Sequence, residues 1–430
     1  MTHDTPAPAA SSALKARLSL MMLLQYAIWG AWLPFLWSFL SEHRHMAGEQ
    51  IGTMFAAGAL GAILGPFIAG QVADRYFSTE KFLGVSHLIG AALIWQLASV
   101  ESYHGFLRFS LAYGLVYSPT LALTNSLAFH HLPDRDRDFG SVRLWGTFGW
   151  IAVGIAMGHW LAHAHTPAGV SAEVAHLAQV AGKADAFRLS AVLGGLMGLY
   201  CFTLPSTPPS KSAERNAVSE ALGEVRRQPL LTLFLLAIPV SCIHQFYFVH
   251  TEGFLHAKLE VPGFFRSIFG VGGGGFMTIG QMVEVLVLGL IPLVSKRLSR
   301  KTLLAVGLCA YAARMAIFAY LQDSGLLLLV GVGLHGLCFG CFIFVAFMIV
   351  DEHTSADVRA SAQNLFNLVI IGVGIIVGSW IAGLVAKWAG ASGTMDYTRL
   401  FAAPMFAALA CLAYLLAFYP SREGPRVGRN

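Results

Sequence analysis

Glu284 sits in the run Met282-Val-Glu284-Val-Leu-Val-Leu, where no neighbour in sequence can neutralise it. An isolated carboxylate removed from water must be protonated or paired. Glu284 is therefore a candidate to take up and release a proton, or else a glutamate held neutral for packing. Gln281, three residues earlier, shares its face if the run is helical. Arg143, Thr147 and Trp150 recur at i, i+4 and i+7, one stripe of a helix. They offer a fork of donors, a hydroxyl and a flat ring, which together suit a planar polar solute. Alternatively, Arg143 sits at a helix end and binds lipid phosphate or an acidic loop residue.

Other residues invite the same double reading. His335, Phe339 and Phe342 form a second i, i+4, i+7 stripe, whose rings could stack on a planar solute or simply pack. His244, Gln245 and Phe248 lie together, with Glu252 further on. An amide such as Gln245 both donates and accepts, which matches a sugar hydroxyl or a base edge, or an interhelical hydrogen bond. Arg314 stands in an apolar run and requires a partner that the sequence does not name. Asn125 faces a solute or another helix. Asp74 and Arg75 follow an apolar run and read as a conformational latch between helices rather than solute ligands.

The elements that carry these residues follow from composition. Of 430 residues, 56% are apolar and 12% charged, about half the charge of a soluble domain. Lipid is the solvent that suits such a chain, and a membrane helix takes roughly 20 apolar residues. Twelve such runs are predicted, at 17–40, 50–72, 82–100, 104–128, 140–163, 186–204, 229–252, 270–295, 302–321, 325–350, 360–388 and 398–419. The expected fold is an all-α membrane protein of twelve transmembrane helices in two six-helix halves. The halves are 1–204 and 229–430, joined by a polar linker, 205–228. The first run is too long for the core of a cleavable signal peptide. Lys and Arg concentrate in the linker and in loops on the same side, including Lys296-Arg297 and Arg300-Lys301. The positive-inside rule then puts both termini in the cytoplasm.

Short sequence patterns add little chemistry. Gly270, Gly272 and Gly275, and again Gly331, Gly333 and Gly336, match a dinucleotide fingerprint. That reading requires a preceding strand, whereas both triplets fall in expected membrane helices. There, small residues let helices pack closely, and Gly272 to Gly275 would loosen the start of the eighth span. Cys338 and Cys341 form a CxxC inside a span and read as small buried apolar residues. A formal charge of +5 is no signal for nucleic acid. No paired aspartates, HExxH or Ser-His arrangement appears in the spans, so enzymatic chemistry, a cofactor and a metal are not expected.

Gly70-x-x-x-Asp74-Arg75 resembles the loop motif of the major facilitator superfamily, with Phe77 and Ser78 where its second Gly-Arg would stand. A sharper resemblance is to the nucleoside:proton symporter family within that superfamily. It is carried by Gln25-Tyr-Ala-Ile-Trp29-Gly30-Ala-Trp32, Tyr117-Ser-Pro119-Thr120-Leu-Ala-Leu-Thr-Asn125, Arg143-Leu-Trp145-Gly146-Thr147, Gln281-x-x-Glu284 and Arg359-Ala-Ser-Ala-Gln363. These stretches run in order along nearly the whole chain. The resemblance implies a proton-coupled importer of nucleosides in the inner membrane, with Glu284 as the proton-linked group. It implies a substrate site made of Arg143, Thr147, Trp150, Gln245, Phe248, Gln281, Glu284, His335 and Phe339. Phe248 stands where family members carry a polar amide, and His335 where they carry a tyrosine. Nucleoside, proton and bilayer are the expected partners, and a monomer is expected. A transporter of another solute, such as a sugar or small aromatic acid, and a non-transporting membrane sensor are the alternatives.

Overall fold

The computed structural model describes residues 11–72, 78–208, 223–260, 262–355, 359–391 and 393–420, and there the chain is all-helical. Among the described residues, twelve long helices and two short ones account for most of it, six long and one short on each side of the polar linker. The N-terminal set is α1 (Ser12–His43), α2 (Gly48–Val72), α3 (Thr79–Leu97), α4 (Tyr103–His131), α5 (Arg135–Ala164), the short α6 (Ala172–Gly182) and α7 (Ala184–Cys201). The C-terminal set is α8 (Leu230–Lys258), the short α9 (Gly263–Phe269), α10 (Gly273–Val294), α11 (Arg300–Tyr320), α12 (Gly325–His353), α13 (Ser361–Ala389) and α14 (Tyr397–Phe418). Each stretch expected from the sequence falls on one long helix. Among the described residues, seven helices, α1, α8 and α10 to α14, are long and apolar enough to cross a membrane. The short helices α6 and α9 were not foreseen. Asp74 and Arg75 lie outside the described residues.

Local chemistry sets the helix starts. Ser11, Ser102, Ser299 and Ser324 each accept a hydrogen bond from the backbone N–H three residues on, which satisfies an otherwise orphaned donor. Within the N-terminal set α1 packs on α5, α2 on α4 and α3 on α7. Within the C-terminal set α11 packs on α14, and α8 on α13 and α14. The sets meet along two seams, α2 with α13 and α5 with α10. The first seam is close because it lacks side chains. A Cβ on Gly52 would lie 2.6 Å from the Ser379 carbonyl oxygen, and one on Gly48 2.9 Å from that of Gly383.

Two expectations need correction. Gly270 and Gly272 are not helical: both have positive φ, 74° and 78°, and they form the turn between α9 and α10. Only glycine enters that backbone region at no steric cost, and α10 begins after them at Gly273. The second correction concerns α12, which contains a π-helical segment over Cys338–Phe344. The wider turn breaks the 3.6-residue period. Phe342 is consequently directed onto Gly307 of α11, and Ile343 takes the face that carries His335 and Phe339.

Candidate substrate site

A cavity of about 320 Å³ lies where the sets meet, within the volume range of small-molecule sites. All nine expected substrate residues line it: Arg143, Thr147 and Trp150 from α5; Gln245 and Phe248 from α8; Gln281 and Glu284 from α10; His335 and Phe339 from α12. Glu284 is the sole acidic residue among the described residues that line it.

The aromatic walls are built from both sets. Trp150 meets Trp29 edge-on, with ring centres 5.6 Å apart, and Phe248 at 6.0 Å. Gly30 makes room for this arrangement, since a Cβ there would lie 2.8 Å from the Trp150 ring. Across the cavity, His335 stacks on Tyr247 at 4.6 Å and on His244 at 5.2 Å, and meets Phe248 at 90°. A flat heterocycle entering this space would find ring faces and edges at distances suited to stacking.

The polar groups are few and differ in kind. Arg143, a donor only, lies with its guanidinium carbon 3.8 Å from the centre of the Tyr26 ring. Gly146 allows this approach: a Cβ there would lie 2.6 Å from Tyr26 and 2.8 Å from Arg143. Gln281 is buried, and its amide oxygen has no hydrogen-bond partner among the described residues. A buried acceptor left open is costly, and a hydroxyl or N–H of a bound solute would satisfy it. Glu284 Oε2 faces His335 Nε2 at 3.5 Å, so the carboxylate that stood alone in sequence has an imidazole beside it in space. His244 Nδ1 pairs with the Tyr311 hydroxyl at 2.7 Å.

Behind the N-terminal wall, Gln25 ties three helices together. Its Nε2 donates to Thr120 Oγ1 at 2.8 Å, its Oε1 accepts from His87 Nε2 at 2.9 Å, and Tyr117 donates to its carbonyl oxygen at 2.6 Å. The stretches around Gln25 and Tyr117 thus position the cavity wall. Tyr26, Trp29 and Tyr117 reach the cavity itself; only their aromatic character within those stretches signalled this. Asn125 is not among the lining groups.

A second polar cluster was not foreseen at all. Lys183, between α6 and α7, and Glu252, near the end of α8, are both fully buried and lie 3.0 Å apart. Ser38 of α1 donates to the same carboxylate, and Lys183 also reaches Ser38 Oγ at 2.8 Å and His256 Nδ1 at 3.1 Å. The Gly273 N–H donates to Glu252 Oε1 at 3.3 Å. This ion pair crosses from the N-terminal set to the C-terminal set, as does the more exposed Lys387–Glu49 pair at 2.8 Å.

A membrane cavity with aromatic walls, open hydrogen-bonding groups and one carboxylate has the chemistry of a solute and proton site. Residues 12–423 match the sequence model of the nucleoside H+ symporters. The chain belongs to that family. It is 33% identical to YegT of Escherichia coli (strain K12) over 386 residues, which cover 86% of this chain and 84% of that one. The xanthosine permease of the same organism is 28% identical over 417 residues, 94% of each chain. The crystal structure of the nucleoside transporter NupG superposes with a TM-score of 0.80 at 24% identity, covering 94% of this chain and 98% of that one. The fold is thus that of the transporter, and the family makes the chain a proton-coupled nucleoside importer of the inner membrane rather than an enzyme. Neither another solute nor a non-transporting sensor is favoured.

Proposed function

We propose that the cavity between the two sets of helices is the nucleoside site and that Glu284 carries the coupled proton. The observation that carries this reading is the convergence of the nine expected residues, drawn from four helices, on one cavity whose described lining holds a single carboxylate. Trp150 and Phe339 are stacking walls for the base. Arg143, Thr147, Gln245 and Gln281 hydrogen-bond the solute, and Phe248 and His335 complete its surround. The finer architecture is part of the same proposal. All twelve long helices cross the bilayer, α1 to α5 with α7 forming one half and α8 with α10 to α14 the other. Residues 205–228 join the halves in the cytoplasm, where both termini also lie. The halves rock about the site so that it opens to each side in turn.

Glu284→Gln keeps the shape and hydrogen-bonding capacity of the side chain but cannot cycle a proton. In proteoliposomes this variant should exchange labelled uridine across the membrane yet fail to accumulate it when a pH gradient is imposed. Accumulation at the wild-type level would move the proton to another group.

A further inference from the structure

Arg314 lies on α11, outside the cavity and with no exposed surface. Its guanidinium carbon sits over the rings of Tyr247, at 4.5 Å, and Tyr311, at 5.1 Å. Its Nη1 is 3.2 Å from His335 Nδ1, and its Nε and Nη2 have no hydrogen-bond partner among the described residues. Among the described residues no carboxylate pairs with it; the acidic group next along this line of contacts is Glu284, on the far side of the same imidazole. A guanidinium has five N–H donors, no acceptor, and stays charged in proteins. In this contact His335 Nδ1 must therefore present its lone pair. The imidazole hydrogen is left on Nε2, the nitrogen that faces Glu284 at 3.5 Å.

We propose that Arg314 is a positioning residue for proton coupling: it holds His335 as the neutral tautomer that donates toward Glu284, so that the carboxylate alone titrates. The proposal rests on the assignment of the coupled proton to Glu284. The groups that face His335 and Glu284 fit it. From α8, Tyr247 stacks on His335 and His244 stacks beside it, engaged with Tyr311 of α11. Cys338 lies one turn along α12, and Arg143 lies in the cavity lining with Glu284. None of these offers His335 Nδ1 an alternative hydrogen bond in the structure. Without Arg314, Nδ1 could bind a proton, and His335 and Glu284 would titrate as a coupled pair.

The test is the pH profile of labelled uridine uptake into proteoliposomes. Wild type should follow a single ionisation. Arg314→Gln should split the profile into two steps separated by about one pH unit or more, and Arg314→Lys, which keeps a donor-only cation, should retain one step. In a His335→Gln background, Arg314→Gln should no longer split the profile, because the residue acts through the imidazole. A split that persists there, or a single step in Arg314→Gln, would overturn the proposal. Should Arg314→Gln not fold, the ¹⁵N imidazole spectrum of His335 in the wild type decides. It should show the Nε2-protonated tautomer throughout the pH range of uptake, and a doubly protonated ring there would refute the idea. Glu284→Gln separates the two levels of argument. If it loses accumulation while Arg314→Gln keeps a single step, only the role of Arg314 fails. If it keeps accumulation, the proton site and this inference fall together.

Discussion

The Arg143 guanidinium lying flat over Tyr26 shows why charge alone is not a sufficient description of this residue. A lysine would keep the attraction to the ring but lose the planar fork that can present two donors to one solute. Arg143→Lys should weaken uridine binding roughly ten- to a hundredfold, the range for hydrogen bonds from a charged donor, while the protein still inserts and purifies. Binding equal to wild type would reduce Arg143 to an electrostatic anchor. His335 and Phe248, in edge-on contact at 5.8 Å, form a joint test of specificity. His335→Tyr combined with Phe248→Asn exchanges an imidazole for a phenol and an apolar face for an amide. The ranking of nucleosides in a competition assay should change, and an unchanged ranking would remove both from the solute's surround.

The elements were legible to different depths. Long apolar runs located all of the long helices to within a few residues, because a membrane helix must satisfy its backbone internally over a fixed length. The same logic missed α6 and α9, which are too short for that constraint. It also misplaced Phe342, since no side chain in Cys338–Phe344 announces a wider turn. The stripe on α5 survived because that helix keeps an α-helical period throughout. The Lys183–Glu252 pair was invisible for another reason: its partners are separated by 69 residues and come from different sets, and sequence spacing carries no information on such contacts. Its energetics are testable. Lys183→Met leaves Glu252 buried without its cation and should cost about 3–5 kcal/mol, whereas pairing it with Glu252→Gln should recover most of the loss. Thermal unfolding in detergent reads both, and equal melting temperatures for the single and double variants would show that the pair is not energetically coupled.

For the molecule as a whole, the proposed orientation rests on the distribution of Lys and Arg. A reporter fused after Asn430, or placed within residues 205–228, should read as cytoplasmic; a periplasmic signal at either place would overturn the proposed count of crossings. Orientation also gives an electrical meaning to the lone carboxylate in the cavity. If Glu284 alone titrates, one proton accompanies each nucleoside, which is itself neutral. Every turnover then carries one positive charge inward, and voltage becomes a driving force in its own right. At 100 mV, negative inside, one charge is worth about 2.3 kcal/mol, enough to concentrate a solute roughly fiftyfold with the pH equal on both sides. A potassium diffusion potential set with valinomycin in proteoliposomes should therefore drive uridine accumulation at symmetric pH, and the current recorded on a supported membrane should reverse with the voltage rather than with the pH gradient alone.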